Sequence, residues 1–384
     1  MSNWKECKLG DVMDLFQGLA INSKTKYLLV EKSDLPLLRI KDLQENTAEF
    51  FVNESEVPEK CIANENDLIF TRTGIVGLVF MGKKGVVHNN CFRIVPKIDD
   101  IFLKFYYYYF NREDMRDYLT GISAGSVQPD MNHSIFKNEI IPVPPLEEQK
   151  AIAEVLSSLD DKIDLLHRQN QTLESLAQTL FRQWFIEEAK EEWEEKPLSY
   201  FGDIICGKTP SKSNLKYFDG NVPFIKIPDM HGNTFIFKTT DTLSELGKES
   251  QKNKTLPPKS ICVSCIATVG LVSMNIIESQ TNQQINSIIP NKDIYRYFLY
   301  LFMQSSYDLL HAMASGGTAT LNLNTGDFSK MEILKPDDET LKNFHEIIEP
   351  KFDKIFINSK QIQILENLRD TLLPKLLSGE VKVK

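Results

Sequence analysis

Residues 146–185 carry a pattern that few folds can satisfy. Alternating steps of four and three from Ile152 land on Ile152, Leu156, Leu159, Ile163, Leu166, Asn170, Leu173, Ala177, Leu180 and Trp184. Eight of these ten positions are large and apolar, one is Ala and one is Asn. That spacing holds one stripe on one side of a helix for about five heptads, which is the pattern of a coiled-coil seam. Pro144-Pro145 stands just before it and cannot lie in a helix interior. Glu147 and Glu148 then fall in the first turn, where the helix dipole favours negative charge. Such a helix is ~55 Å long at 1.5 Å per residue. It cannot bury its own stripe, so a partner of similar length is required.

The partner is expected in the same chain. Shifted by 192 residues, the sequence matches itself: Ala153–Ile163 falls on His345–Ile355, Leu173-Glu174 on Leu365-Glu366, and Leu180 on Leu372. The second helix is predicted at roughly 338–377, with Phe344, Ile348, Ile355, Ile362, Leu365, Leu368, Leu372 and Leu376 as its apolar set. Pro350 and Pro374 predict kinks and Ser378-Gly379 a stop. Asn170 is expected to fix the register of the seam.

The self-similarity extends to the segments before each helix. Trp4 and Leu9 align with Trp193 and Leu198, and Asp14…Gly18 with Asp203…Gly207. Pro36-x-x-Arg39-Ile40-Lys41-Asp42 aligns with Pro223-x-x-Lys226-Ile227-Pro228-Asp229, and Val76–Val79 with Val269–Val272. His88-Asn89-Asn90 meets Asn282-Gln283-Gln284, and Gly125-Ser126 meets Gly317-Thr318. The chain is therefore an internal duplication. The expected fold is α+β: two similar α/β globular domains, 1–145 and 188–337, joined by long helices at 146–187 and 338–384. The helices are expected to pair antiparallel as an intramolecular coiled coil with pseudo-twofold symmetry, holding the domains at opposite ends of a rod.

Within the first domain, Leu35–Leu43 and Asp67–Phe80 have strand character, with Thr71–Gly74 as an exposed polar turn. Ile101–Thr120 is predicted as one amphipathic helix, Gly121–Pro129 as a polar loop and Glu139–Val143 as a strand. The second domain repeats the order with strands at Val222–Ile227 and Ser260–Val272, a helix at Asp293–Met313 and a loop at Ala314–Asn322. Glu187–Glu195 is expected to be a solvated linker or a surface for a basic partner.

Composition excludes several classes. No apolar run is long enough to cross a membrane, and Met1–Glu6 has no signal-peptide character. Six scattered Cys in 384 residues suit a reducing cytoplasm rather than a disulfide framework. Cys262-x-x-Cys265 lacks a second pair or a nearby His, so no metal site is expected and the segment suits a buried strand. The net charge of −9 argues against indiscriminate nucleic-acid binding. Residues 146–196 hold −7 of it, which leaves −2 for the rest of the chain. Any nucleic-acid face must then be local.

No catalytic constellation is present. The chain lacks a phosphate-binding G-x-x-x-x-G-K-[ST] loop, a G-x-G-x-x-G turn, a G-x-S-x-G elbow and an H-E-x-x-H pair. What both domains offer instead is polar loops. The first has Asn22, Lys24, Arg39, Lys41, Thr71, Arg72, Thr73, Asn89, Asn90, Ser126 and Gln128. The second has Lys208, Thr209, Ser211, Lys212, Lys226, Gln283, Gln284, Thr318, Thr320 and Asn322. Arg can pair with guanine and Asn or Gln with adenine in the major groove, while Lys, Ser and Thr hold phosphates. Gly207–Lys212 stands out because small residues let backbone approach a phosphate; Gln283-Gln284 serves equally well to satisfy buried backbone.

Several stretches resemble the specificity subunits of type I restriction–modification enzymes. They are Pro142–Gln149 opening the first long helix, Ser158–Ile163 within it, Gly202-Asp203…Gly207–Ser211, Thr268–Leu271 with Asn282–Gln284, and Leu373–Glu380. The likeness covers nearly the whole chain. The first domain departs from it, with Gly18–Asn22 in place of a Gly-x-Thr-Pro loop and His88–Asn90 in place of Asn-Gln-Gln. The resemblance implies two target recognition domains that each read half of an interrupted DNA site. It implies helices that space the domains and dock two modification (methyltransferase) subunits. S-adenosylmethionine and ATP would then sit on partner subunits, a restriction subunit being one of them, and this chain would hold no cofactor. Two other readings remain open: a self-contained methyltransferase or nuclease, and a coiled-coil adaptor with no nucleic-acid role.

Overall fold

The computed structural model describes residues 4–123, 129–315 and 320–383. It divides into two compact units, Met1–Ile163 with Leu365–Lys384, and Asp164–Ile364. Both unit boundaries fall inside long helices, which span Leu146–Arg182 and Asp338–Leu377.

The first unit is built on a four-stranded sheet ordered Met13–Gln17, Cys91–Pro96, Leu68–Thr71 and Val79–Phe80, all neighbours antiparallel. A smaller sheet of Leu37–Leu38, Gly85–Val87 and Ile62–Ala63 lies in the same unit. Lys5–Lys8 pairs with Ile140–Val143 just before the long helix. Phe70, Phe92 and Phe136 stack in the core, the Phe70 and Phe136 centroids 4.2 Å apart. Ile152, Ala153 and Leu156 of the first long helix join this core, as do Leu376 and Leu377 of the second. Asp160 accepts from Arg369 at 3.0 Å, so the start of one long helix lies beside the end of the other.

The second unit repeats the plan. Its main sheet is ordered Gly202–Cys206, Ile285–Pro290, Ile261–Ser264, Val272–Asn275 and Phe235–Ile236. A smaller sheet joins Asp241–Leu243, Phe218–Ile225 and Gln280–Thr281. Rings of Phe181, Phe185, Phe298 and Phe344 bring both long helices against the domain core. Asn170 lies opposite Asn358 and Ser359, whereas Phe181 meets Phe344, so the two helices run in opposite directions here. Asn358 donates to the Asn170 carbonyl at 2.9 Å with both side chains buried. An unmatched amide in an apolar seam is costly, so this pair favours one register.

Seam positions Ile152, Leu156, Ile163, Leu166, Ile348, Ile355 and Ile362 are buried, and Leu159, Leu173, Leu180, Leu365 and Leu372 are half-buried. Leu368, expected in the second stripe, is 44% exposed, while Leu341 and Phe352 are fully buried. The second helix runs unbroken through Pro350 and Pro374. Gly379, at φ +68°, closes it by donating to Leu376.

Five elements differ from the sequence reading. Leu35–Leu43 is a strand only at Leu37–Leu38. Ile40–Glu45 is a short helix whose Asp42 binds Arg39 and whose end turns at Asn46, φ 54°. Ile227–Met230 likewise leaves the strand because Asp229 accepts the Lys226 N–H at 2.9 Å. The predicted helices 101–120 and 293–313 are each divided, at Asn111 and at Ser306. Asn111 exchanges two hydrogen bonds with the Val79 backbone, which fixes the break. Glu187–Glu195 is not simply a solvated linker. Trp193 is buried, and Glu194–Pro197 pairs as a strand with Glu332–Lys335.

Candidate nucleic-acid interface

Each main sheet ends in a knot of loops, and the same backbone bonds tie both knots. In the first unit, the Leu78 N–H donates to Thr71 Oγ1 at 3.0 Å and the Gly77 N–H to the Thr71 carbonyl at 3.0 Å. In the second, the Leu271 N–H donates to Ser264 Oγ at 2.9 Å and the Gly270 N–H to the Ser264 carbonyl at 2.9 Å. Gly77 and Gly270 both stand at φ +92°, a conformation open to glycine. Two further bonds recur: Arg72 N–H to Asn90 and Cys265 N–H to Gln284, both at 2.8 Å. Met131 N–H to Arg72 and Leu323 N–H to Cys265 close the knots, again at 2.8 Å.

This scaffold gathers most of the expected residues at one sheet edge in each unit. In the second unit, the Lys208 N–H donates to the Thr281 carbonyl at 2.9 Å, and Thr209 donates its hydroxyl to Gln283 at 2.7 Å. Asn322 bridges Ile266, and Gln284 accepts from Asn282. In the first unit, Asn89, Asn90, Arg72 and Thr73 occupy the matching edge. Arg39 and Lys226 each follow the strand that runs beside it. Lys24 lies on the loop after Gly18, and Ser211 and Lys212 on the loop after Gly207, where Ser211 bonds Ser213 at 2.8 Å. Ser126, Gln128 and Thr318 lie outside the described residues. Thr320 is exposed.

The chemistry of these residues is not uniform. Thr71 is fully buried and its hydroxyl holds the turn, so it is structural rather than an exposed DNA contact. Gly207 has a different role from the one expected. A Cβ there would stand 2.1 Å from the Asn282 carbonyl oxygen, so the glycine serves packing of loop on loop rather than phosphate approach. Gly18 is forced in the same way by the Val87 and His88 carbonyls at 2.3 Å. Arg39 is held by Asp42 at 2.6 Å and Glu49 at 2.5 Å, and hydrogen bonding to Asp42 raises its pKa. Arg72 is clamped by both oxygens of Asp130 at 2.7 Å, and Lys226 is paired with Asp241. Lys41, out on its helix, is 3.9 Å from Glu45. Among the described residues, Lys24, Lys208 and Lys212 are exposed and carry no ion pair.

Other contributors went unseen in the sequence. Asp130 is the acid that positions Arg72. Asn132, His133 and Lys60 join Arg72 around a cavity of about 440 Å³. Burial, then Lys137 and Arg72, lower the His133 pKa, and its Nε2 is buried without a partner. In the second unit, the buried Gln251 amide donates to the Lys208 carbonyl at 2.6 Å and to Gln280 at 2.9 Å. Only Asn132, as a cap before His133–Asn138, had a local signal. Burial pushes the Cys262 and Cys265 thiols up to about 12, so both behave as small apolar groups.

A family model described as the type I restriction modification DNA specificity domain matches residues 1–175 and again 190–367. This chain belongs to that family. It is 33% identical to the specificity subunit of the type I restriction enzyme HindI from Haemophilus influenzae, over 99% of this chain and all of that protein. It is 28% identical to the MjaIX specificity subunit of Methanocaldococcus jannaschii, over all of this chain and 94% of that one. A crystal structure of a type I S subunit from M. genitalium superposes with a TM-score of 0.67 at 16% identity, covering 97% of this chain and 96% of the other. That likeness is one of fold. Among the described residues, no helix is long and apolar enough to cross a membrane.

Proposed function

We propose that this chain is the DNA-reading subunit of a type I restriction–modification complex and performs no chemistry itself. The observation that carries the reading is the repeated loop knot. One backbone scaffold presents Arg72, Asn89 and Asn90 in the first unit and Lys208, Thr209, Gln283 and Asn322 in the second. Residues 1–145 and 188–337 act as the two target recognition domains, each reading half of an interrupted site. Exposed Lys24, Lys208 and Lys212 hold phosphates, and amide side chains read base edges. The ion-paired Arg39, Arg72 and Lys226 set loop shape first and reach DNA only where an acid yields its partner.

The two long helices act as an intramolecular, pseudo-twofold coiled coil that spaces the domains. A helix of this length exceeds one duplex turn of ~34–36 Å, which suits an unread gap. Exposed apolar residues of the helices, among them Leu165, Leu176, Ile357 and Ile364, suit docking of two modification subunits. S-adenosylmethionine and ATP belong on the modification and restriction subunits, and the complex works in the cytoplasm.

The test is selection from a random duplex pool by the chain with its modification subunit. One interrupted sequence should be enriched, and adding one heptad to both helices should change the tolerated gap and leave the half-sites unaltered. Lys208→Ala and Lys212→Ala should each weaken binding about equally across sequences, as loss of a phosphate contact does, whereas a change at a base-reading residue should cost ~1–3 kcal/mol. Methylation or cleavage of DNA by the purified chain alone would overturn the reading.

A further inference from the structure

The second unit holds a half-buried acid with no cation beside it among the described residues. Glu174, on the first long helix, lines a recess of about 290 Å³ together with Gln178, Thr234, Val272, Tyr300 and Gln304. Thr234 donates its hydroxyl to one carboxylate oxygen. Among the described residues no donor meets the other oxygen, which keeps solvent access on the side of the recess. Gln178 donates to Gln304 at 3.3 Å and Gln304 to Tyr300 at 2.9 Å, so the neighbouring amides bond one another rather than the acid. No Lys or Arg lies within ion-pair distance among the described residues, and residues 124–128 and 316–319 contain neither. Burial raises the Glu174 pKa, with the Thr234 bond opposing it. Partial desolvation of a carboxylate carries a cost that a cation on the open oxygen would offset.

The first unit shows the completed form of a similar arrangement. There, Tyr108 donates to Asp160 at 2.8 Å, and Arg369 of the same chain meets the second oxygen at 3.0 Å. Among the described residues of the second unit, none plays the part of Arg369.

We propose that the Glu174 recess receives an arginine side chain from the modification subunit, paired with the carboxylate. Arginine fits better than lysine. Its planar fork matches a carboxylate, its guanidinium tolerates burial, and Met230 and Val272 give its methylenes an apolar wall. The identity of the donor rests on the docking function proposed above; the chemistry of the recess does not.

Two measurements test it. In the first, the full chain is titrated with N-acetyl-arginine methylamide and with its citrulline counterpart while the Glu174 side-chain carbon is followed by NMR. A shift with the arginine compound alone is expected, and equal or absent shifts overturn the proposal. In the second, assembly with the modification subunit is measured for the wild type, Glu174→Gln and Thr234→Val. Glu174→Gln should weaken assembly about tenfold or more and remove the loss of affinity that the wild type shows as pH falls. Thr234→Val, which keeps the charge, should bind within about threefold of wild type. Wild-type assembly with an unaffected Glu174→Gln variant overturns the proposal and leaves docking intact. If the wild type does not assemble at all, the docking function falls and the arginine titration alone decides the recess.

Discussion

The two loop knots share a backbone and differ in what fills it. Where the first unit has Arg72 clamped to Asp130, the second has the buried Cys265 and, on the bridge that both units share, Asn322. The main-chain bonds around these pairs agree to within a few tenths of an ångström. The knots are therefore held mainly by backbone N–H and C=O groups, with the hydroxyls of Thr71 and Ser264 as the shared side-chain acceptors. The side chains presented at the sheet edge are free to differ between the halves. Two domains built this way need not present the same chemistry at the sheet edge.

That contrast can be broken experimentally, and the largest effect is expected at the glycines. Gly270→Ala adds a methyl 2.8 Å from Tyr307 Cδ2 as well as strain at φ +92°. Gly77→Ala meets the same strain but nothing nearer than 3.6 Å. Urea unfolding should show a loss of about 3 kcal/mol for the first and ~1–2 kcal/mol for the second. Equal losses would mean that strain alone decides.

The clamp should come next. Asp130→Ala leaves Arg72 without its carboxylate and removes the 2.7 Å bond to Thr73. A loss of ~2 kcal/mol is expected, less than for a fully buried pair because Asp130 is partly exposed. Asn322→Ala, at the matching place, should cost under about 0.5 kcal/mol. A similar cost for both would show that the charge is incidental.

The smallest effect concerns pH. His88 Nδ1 accepts the Asn90 N–H at 3.4 Å, where Asn282 Oδ1 accepts the Gln284 N–H at 3.1 Å. Burial, then Arg39, lowers the His88 pKa below its ordinary 6.5. A depressed pKa means that stability is fully present above 6.5 and is lost as pH falls through the lower folded value. The first unit should be less stable there, measured by thermal unfolding at stepped pH. His88→Asn should reduce that dependence and leave the part carried by His133, whose pKa is also lowered by burial; an unchanged dependence would assign the proton elsewhere.

Much of this organisation could be read from the sequence because it repeats. The long helices are marked by heptad spacing, and the loop knots by paired strings such as Val76–Val79 and Val269–Val272. The exceptions have a common cause. Thr71 sits in a polar string, Thr-Arg-Thr-Gly, yet its hydroxyl is used by a backbone N–H seven residues on. Arg39 and Arg72 look available until Asp42, Glu49 and Asp130 arrive through the fold. Residue type marks what a side chain can bond to; only tertiary structure decides whether that capacity is already used. Ile40–Glu45 shows the same at the level of elements, since one carboxylate at Asp42 turns an apolar, strand-like string into a helix.

The core of the first unit includes Leu376 and Leu377, which follow the whole of the second unit in the chain. During synthesis its strands leave the ribosome early, yet its apolar centre has no lid until the second long helix emerges. The second unit, made later, has every one of its pieces by residue 364. The half that is born first is thus the last to be sealed, and a chain stopped at residue 364 would carry a finished second unit and an open first one.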